Sequence, residues 1–391
     1  MERPRYGPSP IDGRMYLSAS DFARSGEPMS EYEALAKNII RRSLHIQPKE
    51  NVIVESWNHG LPIATEIVYQ VRAVGARPMF LFEDEDTYWR SVNTLSESKL
   101  GQVGSHEWKA IAEADGYVFI PGPADITKIR EAGKKFSAST AYNDEWHRRA
   151  KRNRLRGARI GLGYVTEPRA RAYGFDLDAW RTMMLEASSV DGREIVRAGR
   201  KVMRFLSKTG QLEITHPNGT RFSCDLVGRT PGMDDGIVTK DDLDVGENMA
   251  NIPAGEAFVV PDEKSGDGTI VFDRPIPYLG RWIRDVRIAF DGGKMTKFSA
   301  SENEDFLRSD WEEAKGPKDL LGYLDIGLNP KARSGFLQDA IVAGNVYVAV
   351  GANDEVPGGK NKTDFSLGAS LTGATVTIDG RPVIQNGTLA G

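Results

Sequence analysis

The chain carries two stretches that decide its fold, Asn251-Ile-Pro-Ala-Gly-Glu256 and Asp325-Ile-Gly-Leu-Asn-Pro330. Both lie in the second half of the 391 residues, where short apolar runs are punctuated by glycine, a pattern typical of strands. Asn218-Gly219, a strong hairpin signal, stands near the start of this half. Further strand patterns occur at Thr269–Phe272, Val286–Phe290, Val346–Val350 and Thr375–Ile378. The second half is therefore predicted to be rich in β-structure.

The first half alternates helical and strand patterns. Apolar runs predict strands at Asn51–Glu55, Arg77–Phe82, Gly116–Ile120 and Arg159–Tyr164. Helical patterns occupy Ser30–Leu44, Pro62–Val74, Thr87–Leu100, Ser105–Ala114, Asp125–Arg152 and Asp176–Leu206. Such alternation is typical of a mostly parallel sheet with helices on both faces. We therefore expect an α/β N-terminal domain over residues 29–200, preceded by an arm over 1–28 and followed by a β-rich α+β C-terminal domain over 201–391.

Three local signals lead to specific predictions. Ser30 followed by Glu33 has the spacing of a capping box at a helix start. Asp125 follows a predicted strand and is interpreted as a helix cap rather than a catalytic acid. Cys224, the only cysteine, lies in an alternating strand-like run and is expected to pack as a small hydrophobic side chain.

Composition limits the possible partners and compartment. A net charge of −4 predicts no general attraction to nucleic acid or to an anionic membrane surface. No run approaches the roughly 18 apolar residues that are needed to span a bilayer. The first residues, Met1-Glu-Arg-Pro-Arg-Tyr-Gly-Pro8, lack the apolar segment of a signal peptide, and a single cysteine suits a reducing compartment. We therefore expect a cytoplasmic protein.

The two opening stretches belong to a longer series of sequence blocks. The series continues with Gly268-Thr-Ile-Val-Phe272, Val346-Tyr-Val-Ala-Val-Gly351 and Gly358-Gly-Lys-Asn361. In order and spacing it resembles the catalytic half of the aminopeptidase T metallopeptidase family, which has a leucyl aminopeptidase-type, thermophilic metalloprotease-like fold. The resemblance implies a C-terminal domain of aminopeptidase T type, a cleft between the two domains and a homodimer.

The resemblance also implies two divalent metal ions, because such a pair can generate hydroxide and polarise an amide carbonyl. Glu256 falls on the first metal-binding glutamate of the family. The remaining ligand positions hold Tyr323, Ala340, Tyr347 and either Ser366 and Gly368 or, in a register shifted by four residues, Lys362 and Asp364. No histidine follows His216, so both imidazole ligands are missing. We therefore expect a divergent member without a metal cofactor; zinc, cobalt or iron would require ligands elsewhere.

The residues that replace the ligands form a candidate site of their own. Glu256 would act as general base, Tyr323 and Tyr347 as proton donors or oxyanion stabilisers, and Ser366 as a positioning group. Under the alternative, the tyrosines fill the space of the metals and Glu256 caps a strand or pairs with a cation. Candidate substrate-binding residues are His59, Lys362 and Asp364. A third arrangement, an all-oxygen cation site, would use Asp262, Asp267 and Asp325.

The expected function is a hydrolase that acts on a small amide, peptide-like or heterocyclic substrate by metal-independent acid/base catalysis. A metal-dependent aminopeptidase with unrecognised ligands is the first alternative. The second is a relative of the non-heme iron ring-cleaving dioxygenases of the superfamily, which also require histidines. A binding protein that inherited the fold without catalysis is the third.

Overall fold

A computed structural model describes residues 30–208 and 210–390, so the arm predicted over residues 1–28 lies outside the described residues. The chain forms a parallel sheet covered by helices, followed by two antiparallel sheets and a two-stranded ribbon. This confirms the predicted fold class. No helix in the described part of the chain is both long and apolar enough to cross a membrane.

The parallel sheet has five strands. Their order is Arg77–Glu83, Asn51–Trp57, Gly116–Phe119, Arg156–Ile160 and Met249–Ile252. The last strand pairs in parallel with the fourth, Asn251 lying beside Arg159. The start of the first signature stretch therefore belongs to the sheet of the first half, beyond the point where we expected the domains to divide. The strand predicted at Arg159–Tyr164 was placed too late, since Gly161–Tyr164 is a 3₁₀ turn.

The helices are shorter than the sequence patterns predict. They span Glu33–Asn38 (continued by a π-helical turn, Ile39–Ser43), Leu61–Ala73, Glu85–Thr94, Ser105–Glu113, Ile126–Ala132, Lys134–Ser139, Asn143–Arg152, Glu167–Tyr173, Leu177–Ser188, Gly192–Leu206, Lys240–Val245 and Glu304–Glu313. The predicted capping box is wrong, because the first helix begins at Glu33 and the Ser30 hydroxyl accepts from the Tyr32 amide instead. Asp125 does cap a helix, accepting from the Thr127 amide at 2.9 Å.

Two long predicted helices are interrupted. The stretch Asp176–Leu206 forms two helices, because the Asp191 carboxylate accepts from the Arg193 amide and starts a new helix there. Asp125–Arg152 forms three helices, and Gly133 between the first two has a φ of +50°. These three breaks are set by local features, a capping carboxylate and a glycine among them, which a helical pattern read over a long window does not detect.

The large antiparallel sheet has eight strands. Their order is Lys294–Ser299, Arg287–Asp291, Asp267–Val271, Arg221–Asp225, Gln211–Thr215, Thr375–Ile378, Arg381–Gln385 and Thr388–Leu389, and a ribbon, Ile276–Tyr278 with Arg281–Ile283, accompanies it. The hairpin predicted at Asn218-Gly219 is confirmed, with Gly219 at a φ of +101°. Cys224 is fully buried in this sheet's core, as expected.

The second antiparallel sheet, called the site sheet below, contains Glu256 at the end of the first signature stretch and Asp325–Gly327 at the start of the second. Its strands are, in order, Ser366–Leu371, Val346–Gly351, Leu321–Gly327, Glu256–Val259 and Gly232–Asp234. Only residues 253–255 separate the last strand of the parallel sheet from the strand that begins at Glu256.

Asn329, a fully buried residue of the second signature stretch, joins three parts of the molecule. Its amide nitrogen donates to the Ala254 carbonyl at 2.7 Å and to the Ala187 carbonyl at 3.0 Å. Its amide oxygen accepts from the backbone of Lys331 and Ala332. One side chain therefore ties both signature stretches to the end of helix Leu177–Ser188.

We expect Asn329→Ala to lower the free energy of unfolding by about 3 kcal/mol or more, because it leaves several buried backbone groups without partners. Urea denaturation followed by circular dichroism measures the change. Asn93→Ala, on an exposed helical position, is the matched control and should change stability by less than about 0.5 kcal/mol. Equal stability of the two variants would contradict the role given to Asn329.

Candidate active site

One face of the site sheet gathers the polar residues of the second half. Cross-strand pairing places Asp234 beside Glu256, and Asp325 beside both Phe258 and Tyr347. Directly opposed residues of an antiparallel pair point to the same face, as do residues two apart along a strand. Glu256, Asp325 and Tyr347 therefore share a face. The predicted base and one predicted phenol are brought together, with a second carboxyl group beside them.

Glu256 and Asp325 form an electrostatically linked pair. Burial, followed by the negative charge of Asp234, raises the pKa of Glu256 to about 7. Burial, followed by the charge of Glu256, raises the pKa of Asp325 well above its ordinary value. Asp325 is only 5% exposed, whereas Glu256 is partly exposed. Because Asp325 is the more deeply buried member, the pair loses its first proton more readily at Glu256.

Asp234 has a structural task in this arrangement. One of its oxygens accepts from the Asn251 amide and the Asn251 side chain, at 3.0 and 2.7 Å. The other accepts from the Gly236 amide at 3.0 Å. These bonds hold the start of the first signature stretch while leaving a negative charge beside Glu256.

The two predicted phenols lie against each other. The rings of Tyr323 and Tyr347 are stacked, with centroids 5.8 Å apart and planes inclined by 26°. Burial raises the pKa of both hydroxyl groups far above the ordinary value, and negative charge on the neighbouring carboxyl pair adds to this effect. Both phenols therefore stay protonated and remain hydrogen-bond donors at any physiological pH.

Gly368 makes room for Tyr347. A Cβ atom at position 368 would lie 2.3 Å from the Tyr347 hydroxyl oxygen, which is closer than any real contact. The tyrosine and the glycine occupy two of the positions where the family resemblance implies metal ligands. The larger side chain of Tyr347 is thus matched by the loss of a side chain at Gly368.

The two serines of the outer strand differ in their surroundings. Ser366, predicted to position the substrate, is exposed and pairs with Gly351 at the far end of the sheet. Ser370, which the sequence did not suggest, pairs with Tyr347, and its buried hydroxyl has no hydrogen-bond partner in the described chain. Ser370 is therefore a better-placed member of this site.

The other predicted substrate-binding residues lie elsewhere. Lys362 is exposed and forms an ion pair at 3.3 Å with Asp144, which belongs to a helix of the first half. Asp364 is also exposed, outside the strand that carries Ser366. Asp262 and Asp267 bond to the Lys264 and Gly292 amides, respectively.

His59 lies at the carboxyl edge of the parallel sheet. Its Nε2 is 3.1 Å from the Pro121 carbonyl oxygen and 3.0 Å from that of Gly163, and its Nδ1 lies 3.8 Å from Glu85. These contacts connect loops that follow three strands of that sheet. They give the imidazole a structural role in the first half of the chain.

The donor set on the site sheet does not fit a pair of divalent metal ions. It consists of the linked carboxyl groups of Glu256 and Asp325, the carboxylate of Asp234, whose oxygens already accept from amides, and two phenols that hold their protons tightly, with no imidazole or thiolate. In the described residues, no group of three or more histidine, cysteine, aspartate or glutamate side chains is arranged to hold a metal. Neutral phenols are poor zinc ligands, so the site offers too little negative charge for two dications.

The fold and the signature stretches define a metallopeptidase-type scaffold, and comparison with known families agrees. The chain belongs to the thermophilic metalloprotease (M29) family, whose profile matches residues 29–322. The match includes Glu256 and ends one residue before Tyr323. Tyr347, Ser366 and Ser370 also lie beyond it.

Solved structures show the same fold. The chain superimposes on wild-type AmpT from Thermus thermophilus with a TM-score of 0.73 and 18% identity, covering 92% of this chain and 99% of the other. For 2,5-dihydroxypyridine dioxygenase from Pseudomonas putida KT2440, the TM-score is 0.62 at 16% identity, with 93% and 99% covered. At these identities the likeness concerns the fold alone.

Similarity in sequence extends over shorter segments. Aminopeptidase AmpS from Bacillus subtilis strain 168 is 31% identical over 70 residues, which is 18% of this chain and 17% of that protein. The 2,5-dihydroxypyridine 5,6-dioxygenase of Pseudomonas putida is 26% identical over 150 residues, 34% of this chain and 43% of that protein. The chain thus aligns with less than half the length of either relative.

We expect Glu256→Gln to stabilise the protein above pH 7. The folded-state pKa of Glu256 lies above the ordinary 4.5, so wild-type stability falls as pH rises from about 4.5 to about 7. Glutamine removes this loss, which amounts to about 1–3 kcal/mol. Urea denaturation at pH 5 and pH 8 measures the difference, with exposed Glu312→Gln as control. A variant less stable than wild type at pH 8 would instead indicate that Glu256 pairs with a cation.

We also expect Gly368→Ala to destabilise the wild type through its clash with Tyr347. The same substitution should cost less in a Tyr347→Ala background, where the ring is gone. A double-mutant cycle in urea measures this coupling, expected to be about 1 kcal/mol or more. Additive effects of the two substitutions would contradict the proposed match between the two positions.

Proposed function

We propose that this protein is a hydrolase of small amide or peptide-like substrates that uses acid/base catalysis without a metal ion. The observation that carries the proposal is the linked pair of carboxyl groups, Glu256 and Asp325, beneath two protonated phenols. A neutral Asp325 beside an ionised Glu256 leaves one carboxylate of raised basicity, which can take up a proton and return it later in the reaction. Membership of a peptidase family supports the choice of an amide bond as the target.

Each residue has a defined part in this reaction. Glu256 removes a proton from a water molecule while the water oxygen forms a bond to the carbonyl carbon. Tyr347 and Tyr323 donate hydrogen bonds to the oxygen that becomes negative. When the C–N bond breaks, the proton on Glu256 moves to the leaving nitrogen and restores the carboxylate. Asp325 keeps its proton throughout, so Glu256 is the only ionised member of the pair. The products are a carboxylic acid and an amine.

The raised pKa of Glu256 suits a general base. An ordinary glutamate is a weak base, whereas a carboxylate with a pKa of about 7 takes up a proton far more readily. The raised pKa also has a cost, because the folded protein loses stability as the pH rises from about 4.5 to about 7. A site that merely filled the space of missing metals would have no reason to retain two buried carboxyl groups, because a neutral residue would stabilise the fold better.

The alternatives remain distinguishable by experiment. A dioxygenase-type reaction is suggested by the second structural relative. This site, however, has none of the histidines that would be needed to bind iron. A conventional aminopeptidase would need a metal pair that the donor set does not fit. A binding protein would hold an amide ligand on the same face without turning it over.

Activity against a panel of aminoacyl anilides and dipeptides tests the proposal. We expect kcat/KM to rise with pH through about 7 as Glu256 ionises. Glu256→Gln should lower kcat about 10²–10⁴-fold, and Tyr347→Phe about 10²-fold or more. Glu312→Gln and the exposed Tyr69→Phe are the matched controls and should leave the rate unchanged.

Elemental analysis of the purified protein is the decisive companion measurement. Near two equivalents of zinc, cobalt or iron, with activity that follows the metal content, would overturn the metal-independent mechanism. Full activity in the presence of a chelator supports it. Saturable binding of the amides without turnover would show that the protein is a binding protein and not an enzyme. The expected homodimer stays a prediction that sedimentation velocity can measure.

A further inference from the structure

A cavity of about 630 Å³ opens at the carboxyl edge of the parallel sheet. The ends of four strands line it through Trp57, Glu83, Phe119 and Arg159, and no residue assigned to the Glu256 site takes part. Ligands of open parallel sheets collect at this edge. The volume falls within the range of about 300–1,000 Å³ that is typical of small-molecule sites. The cavity is therefore a candidate binding site distinct from the proposed catalytic one.

Three glutamates give the cavity a negative potential. Glu55 lies on its wall, where its carboxylate accepts a hydrogen bond from the Tyr117 hydroxyl. Burial raises the pKa of Glu55 to about 7, and the charges of Glu107 and Glu83 add to the effect. Within the described chain, no lysine or arginine charge offsets the shift at Glu55 or at Glu83. The three glutamates thus repel one another, and among the described residues only Glu107 has a basic neighbour, His106, that acts against its raised pKa.

The two basic residues of the lining do not neutralise them. Lys99 is exposed. Arg159 is also exposed, and its guanidinium donates a hydrogen bond to the Tyr164 hydroxyl. The same guanidinium lies 5.4 Å from the centroid of the Tyr164 ring. A cation that entered the cavity would therefore meet carboxylates that are still unpaired.

Trp57 supplies an independent indication of a ligand. Its side chain lines the cavity, the residue is only 8% exposed, and its indole N–H has no acceptor in the described chain. The Trp57 ring packs against Gly122, where a Cβ atom would lie 2.3 Å from the ring. It also contacts Tyr88 in an edge-to-face arrangement, with the two ring centroids 5.0 Å apart. A buried donor without a partner costs about 1–3 kcal/mol, which an acceptor on a bound molecule would recover.

The wall favours an organic cation over a metal ion. Aromatic rings surround the carboxylates: Trp57, Phe82, Tyr88, Phe119, Phe136 and Tyr142. Aromatic faces attract amine cations and pack against flat apolar bodies. The glutamates are not clustered as metal ligands, since no such group of three occurs in the described residues.

We propose that this cavity binds an arylalkylamine cation that also carries a hydrogen-bond acceptor. The ammonium group lies among Glu55, Glu83 and Glu107, the ring packs against the aromatic wall, and the acceptor takes the Trp57 N–H. The proposal is independent of the reaction at Glu256.

Four phenyl compounds separate these contributions in calorimetric titrations of the full-length protein. Tyramine has both the ammonium group and the phenol oxygen, phenethylamine lacks the oxygen, tyrosol lacks the charge and 4-hydroxyphenylacetate reverses it. We expect tyramine to bind with a Kd below about 1 mM, tyrosol and phenethylamine to bind several-fold to tenfold more weakly, and the anion not to bind. Binding of the anion as tight as that of tyramine, or no saturable binding of either amine, overturns the proposal.

Substitutions in the cavity test which residues contact the ammonium group and which contact the acceptor of the ligand. Glu55→Gln should weaken tyramine about tenfold or more while leaving the weak binding of tyrosol unchanged. Trp57→Phe should remove the preference for tyramine over phenethylamine. Glu97→Gln, exposed and outside the lining, is the matched control. Should Glu55→Gln fail to fold, Glu83→Gln, at the exposed end of its strand, takes its place. Unchanged tyramine binding in the folded variant would overturn the placement of the ammonium group among the glutamates.

Discussion

The hydrogen bonds of Asn329 are the constraint on which the rest of this structure depends. They connect the second signature stretch to Ala254 in the first and to the end of a helix in the other half. The backbone at Gly255 comes so close to Asn329 that a Cβ atom there would lie 2.8 Å from the asparagine Cβ, and its φ of +129° also favours glycine. Glu256 is the next residue, so its position on the site sheet is determined by this packing.

The electrostatics of the site follow from what surrounds Glu256. In a metal site, dications would stabilise several neighbouring carboxylates in their ionised form. Here Glu256 and Asp325 lie near Asp234, whose carboxylate accepts from backbone and side-chain amides, and burial favours protonation of all three. A scaffold of the thermophilic metalloprotease family thus carries, in this chain, carboxyl groups whose pKa values are raised. The stacked phenols of Tyr323 and Tyr347 and the bare backbone at Gly368 complete this environment.

Sequence reasoning was reliable for the fold and only partly so for the site. Glycine, strand and helix patterns predicted the parallel sheet and the hairpin at Gly219, because those signals are local. They missed the helix break at Asp191, where one capping carboxylate starts a new helix. The resemblance pointed to Glu256, Tyr323 and Tyr347, which the structure does bring near one another.

The members of the site that were overlooked have no local signal of their own. Asp234 faces Glu256 only through strand pairing, and Ser370 reaches Tyr347 in the same way. Asp325 was considered only as part of an all-oxygen cation site. Its place with the tyrosines could have been recognised, since it lies two residues after Tyr323 and alternation along a strand puts such residues on one face. Lys362 was weighed as a site residue because it is near in sequence, yet its charge is engaged by Asp144 on the other half.

The strand Met249–Ile252 has a consequence for how this chain can be divided. It completes the sheet of the first half, although it follows more than forty residues of the second half, and three residues later the chain enters the other sheet. A fragment ended near residue 200 would expose the open side of Arg156–Ile160 and lose Asn251 with it. Chimaeras between relatives therefore need to exchange this strand together with the first half, or keep the whole chain from a single parent.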